Sequence, residues 1–246
     1  MTTTDTMPQV GEFSEGWILA EAQRQYAEGR ADIDVDPCKT ALIIVDMIDE
    51  FVKPNWCPYW IPDATRQVPT IKRLIDTFHE AKLPVIYLAY EVGLRGLNFP
   101  TTEMVVPIGE AVGSFADRIM QKVAIYEDIA PSEEDLVVLK HCYSGFYGTE
   151  LDLILRSLGV TTVVICGTMT NYCCSSTARE AFWHGYKVIF GSDVTSTDDP
   201  EIHEAELRTL RRGFARVMDS RQIIDEVEQA QGAGRRETSV AVGAGE

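Results

Sequence analysis

Basic residues are scarce in this chain. Its 246 residues include 22 Lys and Arg against 38 Asp and Glu, which gives a formal net charge of −16. Nucleic acids and anionic membrane surfaces are bound through basic patches, so this balance argues against both as partners. No stretch approaches the roughly 18 apolar residues that a membrane-spanning helix needs. The first residues also lack the basic and apolar regions of a secretory signal, so we expect a cytoplasmic protein.

Metal-binding patterns are also missing. The four histidines are widely spaced, and none precedes His79. The six cysteines include no Cys-X-X-Cys pair and follow no spacing that is typical of a metal site. We therefore predict a protein that uses no metal and no other cofactor. Its thiols should be free and reduced, as is usual in the cytosol.

Strand-like and helix-like segments alternate along most of the chain, which is typical of an α/β protein with a mostly parallel sheet. The predicted strands are short and rich in β-branched residues, and they cover residues 41–46, 84–90, 136–140, 161–167, 186–191 and 215–218. The predicted helices lie at about residues 64–82, 114–121, 149–158, 172–184, 200–213 and 220–230. Asp199 followed by Pro200 indicates where one of these helices begins.

Composition divides the chain into three parts. Residues 1–37 are polar and form a predicted N-terminal arm, in which Trp17–Gly29 could be a short helix that packs on a neighbouring subunit. Residues 38–228 form the predicted α/β domain. Residues 229–246 are rich in Gly and Ala, and we expect them to be a flexible tail. Residues 91–114 have little periodicity, and a loop of that length usually has a function.

Three residues with reactive side chains end or follow predicted strands: Asp46, Lys140 and Cys173. The carboxyl ends of parallel strands meet at one edge of a sheet, and ligands bind there. A carboxylate, an ammonium and a thiol at that edge could together attack a carbonyl carbon. Each residue also has an ordinary interpretation, because Asp often caps a turn, Lys at a strand end is often solvated, and Cys is often a small core residue.

The residues alone leave two candidates for the nucleophile, since Cys173 and Cys174 are adjacent. Successive residues of a helix point about 100° apart, so only one of the two can face the sheet edge. Thr170 or Asn171 is expected to cap a helix that continues through both cysteines. A cysteine in the first turn of that helix would have a lowered thiol pKa, because a helix N-terminus favours negative charge.

Three blocks of the sequence resemble the isochorismatase-like superfamily of cysteine hydrolases. They are ALIIVDMIDEFV at 41–52, LKHCYSGFYGTELDLILRSLGV at 139–160, and VVICGTMTNYCCSSTAREAFWHGYKVIFGSDVTSTDD at 163–199. The resemblance covers residues 38–228. It implies a three-layer α/β/α fold around a six-stranded, mostly parallel sheet, usually in a homo-oligomer such as a dimer or tetramer. It also implies an Asp–Lys–Cys triad at Asp46, Lys140 and Cys173.

The resemblance makes further implications about the nucleophile. The step Thr170-Asn171-Tyr172 before the cysteine selects Cys173 over Cys174. A cis peptide bond is implied between Thr168 and Met169, and the N–H groups of Met169 and Cys173 would then form an oxyanion hole. The vinyl-ether hydrolases of the superfamily lack the thiol that this chain keeps, so amide or ureido hydrolysis is favoured. Its nicotinamidases hold a metal through an Asp and several His after the first strand, and this chain has no His there.

Several aromatic residues and one arginine are candidate substrate contacts. Arg95 is the only basic residue of the 91–107 loop and could bind a substrate carboxylate, although arginines in loops are often simply exposed. The aromatic candidates flank the predicted strand ends, and they are Trp56, Tyr90, Tyr143, Phe146, Tyr147 and Tyr172. Residues 56–60 could instead cover the sheet edge or a subunit contact.

Together these patterns predict a metal-independent cysteine amidohydrolase. It would cleave a small amide or N-carbamoyl compound to an acid and ammonia through a thioester, and the block at 143–157 resembles the ureidoacrylate and N-carbamoyl amidase branch. Two alternatives remain: an isochorismatase-type vinyl-ether hydrolase, and a non-catalytic binding protein with the same fold. The retention of all three triad residues argues against the binding protein.

Overall fold

The computed structural model describes residues 7–29, 31–36, 38–90 and 124–243, with side chains described as far as residue 232. The described residues form one six-stranded sheet. Its strands are β1 (Thr40–Val45), β2 (Val85–Tyr90), β3 (Leu136–Lys140), β4 (Thr162–Thr168), β5 (Lys187–Ser196) and β6 (Arg216–Met218). Their order across the sheet is β3-β2-β1-β4-β5-β6, and each neighbouring pair is parallel. The predicted parallel sheet is therefore confirmed.

Helices precede, connect and follow these strands. They are α1 (Glu15–Glu28), α2 (Asp49–Val52), α3 (Pro62–Glu80), α4 (Leu151–Ser157), α5 (Ser175–Trp183), α6 (Pro200–Gly213) and α7 (Ser220–Gly243). Asp199 caps α6 as predicted, because its carboxylate accepts hydrogen bonds from the N–H groups of Glu201 and Ile202. The predicted helix at 114–121 lies outside the described residues. Across the described ranges, no helix is both long enough and apolar enough to cross a membrane.

The central strand shows why the domain has three layers. All six residues of β1 are buried, and successive side chains point to opposite faces of the sheet. Leu42 and Ile44 pack in a core with residues of α3 and α7. Ala41, Ile43 and Val45 pack in a second core with residues of α4, α5 and α6. The sheet is thus covered on both faces, as the α/β/α prediction requires.

The carboxyl ends of β1 and β4 approach each other closely. Gly167 has a φ of 116°, and a Cβ placed on it would lie 2.0 Å from the Val45 carbonyl oxygen. Glycine is required there, because any side chain would collide with β1 and the backbone conformation is strained for other residues. This approach brings the segment that follows β4 beside Asp46, which follows β1.

Two elements are longer than the sequence predicts. β5 runs to Ser196, although Gly191, Ser192 and Asp193 have the composition of a turn. The pairing of β5 with β4 shifts register between Ile165 and Gly167. This shift accommodates the turn-like residues, and β5 continues beyond them. The last helix, α7, continues to Gly243, so the segment 229–246 that we expected to be a flexible tail is helical over most of its length. Its glycines each disfavour a helix by about 1 kcal/mol, but the Ala, Gln and Arg around them favour one.

The N-terminal helix lies against its own chain. The Arg212 guanidinium of α6 is 4.5 Å from the centroid of the Tyr26 ring, and Arg208 donates to the Gln23 Oε1 at 3.2 Å. No residue of α1 is buried by this contact. The expectation that the arm packs on a neighbouring subunit stays a prediction.

Candidate active site

Three side chains converge at the carboxyl edge of the sheet. Asp46 follows β1, Lys140 is the last residue of β3, and Cys173 lies in a π-helical turn, Thr170–Cys174, that follows β4. Lys140 Nζ lies 2.7 Å from Asp46 Oδ2 and 3.4 Å from Cys173 Sγ. The long lysine side chain thus reaches across the end of β2 to join the other two. Residues predicted from three separate blocks of sequence form one cluster.

The environment of Lys140 excludes the interpretation of a solvated strand-end lysine. The side chains of Lys140 and Asp46 are both 0% exposed. Lys140 Nζ also donates to the Cys142 carbonyl oxygen at 3.0 Å, and it lies 5.1 Å from the centroid of the Tyr90 ring. Two of its N–H groups thus donate to Cys142 and Cys173, and the Asp46 carboxylate supplies an ion-pair partner. These three partners hold the buried ammonium in place.

Asp46 has an unusual backbone conformation. Its φ is 48°, in the left-handed region that few residues other than glycine adopt. Its N–H donates to the Leu88 carbonyl oxygen at 2.8 Å, which ties this conformation to β2. Strain of this kind costs on the order of 1–3 kcal/mol, and it is concentrated at functional sites where the surrounding structure can hold it. Here it turns the carboxylate toward Lys140.

Burial changes the acid–base properties of the cluster. Removal from water raises the pKa of Asp46 above its ordinary value, although the Lys140 charge opposes the shift. Burial and the neighbouring Asp46 carboxylate both raise the pKa of the Cys173 thiol. Burial opposes the charge on Lys140, but its two partners outweigh that effect and hold the lysine pKa above its ordinary value. These shifts favour a protonated thiol and a charged lysine in the resting cluster.

The expectation that a helix N-terminus lowers the thiol pKa is wrong for this resting arrangement. Cys173 does lie near the start of a helical segment, because the π-helical turn Thr170–Cys174 leads directly into α5 at Ser175. Desolvation and the Asp46 charge dominate instead, and both favour the neutral thiol. The sequence could not show this, because neither burial nor the approach of Asp46 is a local property.

The structure distinguishes the two adjacent cysteines. Cys173 Sγ accepts a hydrogen bond from Lys140 and is part of the cluster. Cys174 is fully buried, and it packs in the core between the sheet and α5. Cys173 is therefore the cysteine that the fold presents to Asp46 and Lys140.

The turn around the nucleophile is built on Met169. The peptide bond between Thr168 and Met169 is cis. The N–H groups of Tyr172 and Cys174 both donate to the Met169 carbonyl oxygen, at 3.2 and 3.1 Å. The oxyanion hole that we expect from the N–H groups of Met169 and Cys173 stays a prediction.

Three of the predicted substrate contacts lie beside the cluster. The rings of Tyr143 and Tyr172 pair with their centroids 5.2 Å apart and their planes tilted by 40°. Burial and the nearby Cys173 thiol raise the pKa of the Tyr143 hydroxyl. Burial also raises the pKa of Tyr90, whose ring lies over Lys140, to about 12. Tyr172 directly precedes the nucleophile and is 43% exposed, so part of its side chain faces solvent beside Cys173.

The other predicted contacts are not brought to the cluster in this way. Phe146 is 7% exposed and packs in the core beneath α4, which leaves its predicted contact with substrate unsupported. Tyr147 is 53% exposed. Trp56 is 47% exposed, and the Lys53 ammonium lies 4.9 Å from its ring centroid. Arg95 lies outside the described residues.

Within the described ranges, no three His, Cys, Asp or Glu residues are grouped so that they could hold a metal ion. The absence of a metal from the reaction stays a prediction.

One polar residue near the site was missed by the sequence analysis. His203, on α6, has its Nδ1 2.8 Å from the Thr170 hydroxyl oxygen in the nucleophile turn. The sequence analysis assigned it only to a helix. No local pattern links two residues so far apart in the chain. The signal in the sequence that could have pointed to His203 is its place as a polar residue on the side of α6 that faces the sheet.

Comparisons with known proteins show which family this chain belongs to. A family model described as the Isochorismatase domain matches residues 40–222. The chain belongs to the isochorismatase family. It is 34% identical over 201 residues to the uncharacterized isochorismatase family protein YwoC of Bacillus subtilis, which covers 81% of this chain and 98% of that protein. It is 30% identical over 203 residues to the ureidoacrylate amidohydrolase RutB of Methylobacterium radiotolerans, covering 76% of this chain and 79% of that one.

Solved structures of the isochorismatase type share the fold. A cysteine hydrolase from Pseudomonas syringae superposes with a TM-score of 0.70 at 30% identity, over 82% of this chain and 97% of that one. N-carbamoylsarcosine amidase from Thermoplasma acidophilum superposes with a TM-score of 0.57 at 31% identity, over 74% and 96% of the two chains. With the family match and the cysteine of the cluster, these similarities identify an isochorismatase-like cysteine hydrolase.

Proposed function

We propose that this protein hydrolyses a small amide or N-carbamoyl compound to an acid and ammonia, with Cys173 as the nucleophile. The observation that carries the proposal is the position of Lys140 Nζ, which contacts both Asp46 Oδ2 and Cys173 Sγ. A nucleophile, a base and a cation that orients both are the components of covalent acyl transfer. Similarity to RutB and to N-carbamoylsarcosine amidase supports the ureido part of the proposal.

Acylation begins when Asp46 accepts the thiol proton and Cys173 Sγ attacks the substrate carbonyl carbon. Asp46 Oδ2 and Cys173 Sγ both contact the same ammonium, Lys140 Nζ, so the carboxylate lies close to the thiol. A carboxylate of raised pKa is a stronger base than an ordinary Asp, which suits it to a thiol at neutral pH. Lys140 stays charged throughout and stabilises the thiolate as it forms, because its Nζ is already in contact with the sulfur.

The tetrahedral intermediate then collapses. Its oxyanion is stabilised by the N–H groups of Met169 and Cys173. Asp46 returns its proton to the leaving nitrogen, which departs as ammonia, and a thioester remains on Cys173. Asp46 next deprotonates a water molecule, the resulting hydroxide cleaves the thioester, and the carboxylic or carbamic acid leaves as the thiol regains its proton.

The rings near the nucleophile define the kind of group that fits. Tyr90, Tyr143 and Tyr172 offer flat faces beside Cys173, which favour a small planar amide or ureide over a bulky one. Arg95 is our candidate for binding a carboxylate on such a substrate, because guanidinium pairs with carboxylate through two hydrogen bonds.

Ammonia release from a panel of substrates tests the proposal. The panel contains ureidoacrylate, N-carbamoylsarcosine and simple amides, and it is assayed with the wild type, Cys173→Ala and Cys174→Ala. We expect activity on at least one compound that only Cys173→Ala abolishes. Activity that survives in Cys173→Ala would overturn the choice of nucleophile. A wild type that cleaves a vinyl ether such as isochorismate, and none of the amides, would favour the alternative hydrolase.

A further inference from the structure

His203 connects the nucleophile turn to β5 through both of its ring nitrogens. Nδ1 lies 2.8 Å from the Thr170 hydroxyl oxygen, and Nε2 lies 3.1 Å from the Ser192 carbonyl oxygen. A carbonyl oxygen can only accept, so Nε2 carries the hydrogen and donates it to Ser192. In this tautomer Nδ1 is an acceptor, and the Thr170 hydroxyl donates to it. The two bonds fix both the tautomer and the orientation of the ring.

The Thr170 hydroxyl has a defined place in the turn. Thr170 is fully buried and is the first residue of the π-helical turn that contains Cys173. A buried hydroxyl needs a partner, and His203 supplies one from a different element, α6. A second link of the same kind joins Asn171 Oδ1 to the Thr197 hydroxyl at 2.7 Å. Residues that follow β5, the strand beside β4, therefore help to position the turn. Its own backbone hydrogen bonds do the rest.

We propose that His203 is a positioning residue, which holds the turn through Thr170 so that the Cys173 thiol meets Asp46 and Lys140. This inference rests on the proposed function, because it assigns a role in the same reaction. His203 acts on the thiol only through Thr170. Loss of its acceptor nitrogen leaves a buried hydroxyl without that partner, and the turn can then relax. A misplacement of about 1 Å at a reacting group can lower a rate by roughly 100-fold.

Two conservative variants separate the bonds of the ring. Asn at 203 places an amide oxygen where Nδ1 lies, so His203→Asn can still accept from Thr170. Gln reaches the Nε2 position instead, so His203→Gln can keep the bond to Ser192 but loses the acceptor for Thr170. Thr170→Val removes the same bond from the other side. Glu204→Gln, at the next and exposed position of α6, is the matched control.

Steady-state kinetics on the substrate found in the panel give the first readout. His203→Gln and Thr170→Val should each lower kcat by roughly 10-fold or more with little change in KM, since the substrate pocket is intact. His203→Asn should recover most of kcat, and Glu204→Gln should match the wild type. The double variant of His203→Gln with Thr170→Val should be no slower than either single, because both remove one interaction.

Alkylation of Cys173 by iodoacetamide gives a second readout that needs no substrate. The titratable groups near the thiol are Asp46, Lys140, Tyr90, Tyr143 and the adjacent Cys174, and the positions of Asp46 and Lys140 act directly on its pKa. In the wild type the midpoint of the rate against pH should lie above the ordinary thiol value of about 8.5. It should move toward that value in His203→Gln and Thr170→Val but not in His203→Asn.

The outcomes distinguish this inference from the proposed function. Failure of the wild type to release ammonia, or activity in Cys173→Ala, would overturn the proposed function, while the alkylation midpoint still reports on the position of the thiol. Wild-type kcat and an unmoved midpoint in His203→Gln and Thr170→Val would overturn the role of His203. The role of His203 would also be overturned if kcat fell in proportion to melting temperature in every variant, including His203→Asn.

Discussion

Lys140 and Asp46 form a fully buried ion pair, with 2.7 Å between Nζ and Oδ2. Taking two charges out of water costs several kcal/mol for each ion, and their attraction offsets this only when the geometry is good. Such a pair is therefore poor evidence of stability. Its contact with the Cys173 thiol gives it a chemical purpose, since groups with strongly shifted pKa values that share one site are candidates for catalysis.

Removal of the lysine should destabilise the fold. Lys140→Met leaves the Asp46 carboxylate buried without its cation, and breaking such a pair costs about 3–5 kcal/mol. Urea denaturation measures the change in the free energy of unfolding. The double variant of Asp46→Asn with Lys140→Met should recover most of this loss, because no charge remains, yet it should not hydrolyse amides. A Lys140→Met protein as stable as the wild type would contradict the pairing.

Removal of the carboxylate should make the thiol more reactive while it abolishes hydrolysis. Burial and Asp46 raise the pKa of Cys173 and Lys140 lowers it, so Asp46→Asn removes one of the two effects that oppose the thiolate. We expect faster alkylation of Cys173 by iodoacetamide at pH 7 in Asp46→Asn than in the wild type. Ammonia release should fall by at least roughly 100-fold, because the proton acceptor is gone. Slower alkylation in Asp46→Asn would show that the carboxylate does not oppose the thiolate.

Hydrolysis should fail in mild acid. The base must be unprotonated to accept the thiol proton, and burial raises the pKa of Asp46. A raised pKa means that the proton binds at a higher pH, so the acid limb of kcat/KM should lie above the ordinary aspartate value of about 3.9. The profile of kcat/KM against pH measures it. An acid limb at or below that value would indicate that Asp46 is not the base.

Gly167 should not tolerate a side chain. A methyl group at this position would lie 2.0 Å from the Val45 carbonyl oxygen, and the φ of 116° disfavours any residue but glycine. We expect Gly167→Ala to lower the melting temperature sharply and to reduce activity, because the ends of β1 and β4 carry Asp46 and the nucleophile turn. Gly213→Ala is the control, since a Cβ there meets nothing within 4 Å. Equal melting temperatures would contradict the close approach.

The sequence predicts the parts of the site that depend on strand order. β-branched runs locate all six strands, and parallel pairing then brings Asp46 and Lys140 to one edge. Strand order does not predict that Lys140 is buried, because burial of its charge depends on Asp46, which follows a different strand. The sequence also predicts that β5 ends at residue 191, five residues before Ser196. A register shift between two neighbouring strands produces no pattern in the sequence of either strand.

Long-range side-chain contacts account for the other differences. Phe146 and Tyr147 are neighbours in an aromatic block, and the sequence analysis predicts both as substrate contacts. The structure packs Phe146 in the core and leaves Tyr147 53% exposed. His203 shows the converse, because nothing near it in the chain marks Thr170 as its partner. Only the packing of α6 beside the nucleophile turn reveals the pair.

The aromatic residues near the cluster should differ in what their loss affects. Tyr143 lies beside Cys173 and pairs with Tyr172, so Tyr143→Ala should raise KM several-fold by removing one face of the pocket, while Tyr143→Phe keeps the ring and should stay near the wild type. Phe146→Ala should instead cost about 3–5 kcal/mol of stability, because it leaves a cavity in the core. Tyr147→Ala, at an exposed position, is the control for both. Steady-state kinetics and urea denaturation of the four variants measure these effects. A raised KM in Tyr147→Ala together with an unchanged KM in Tyr143→Ala would show that Tyr147, and not Tyr143, lines the pocket.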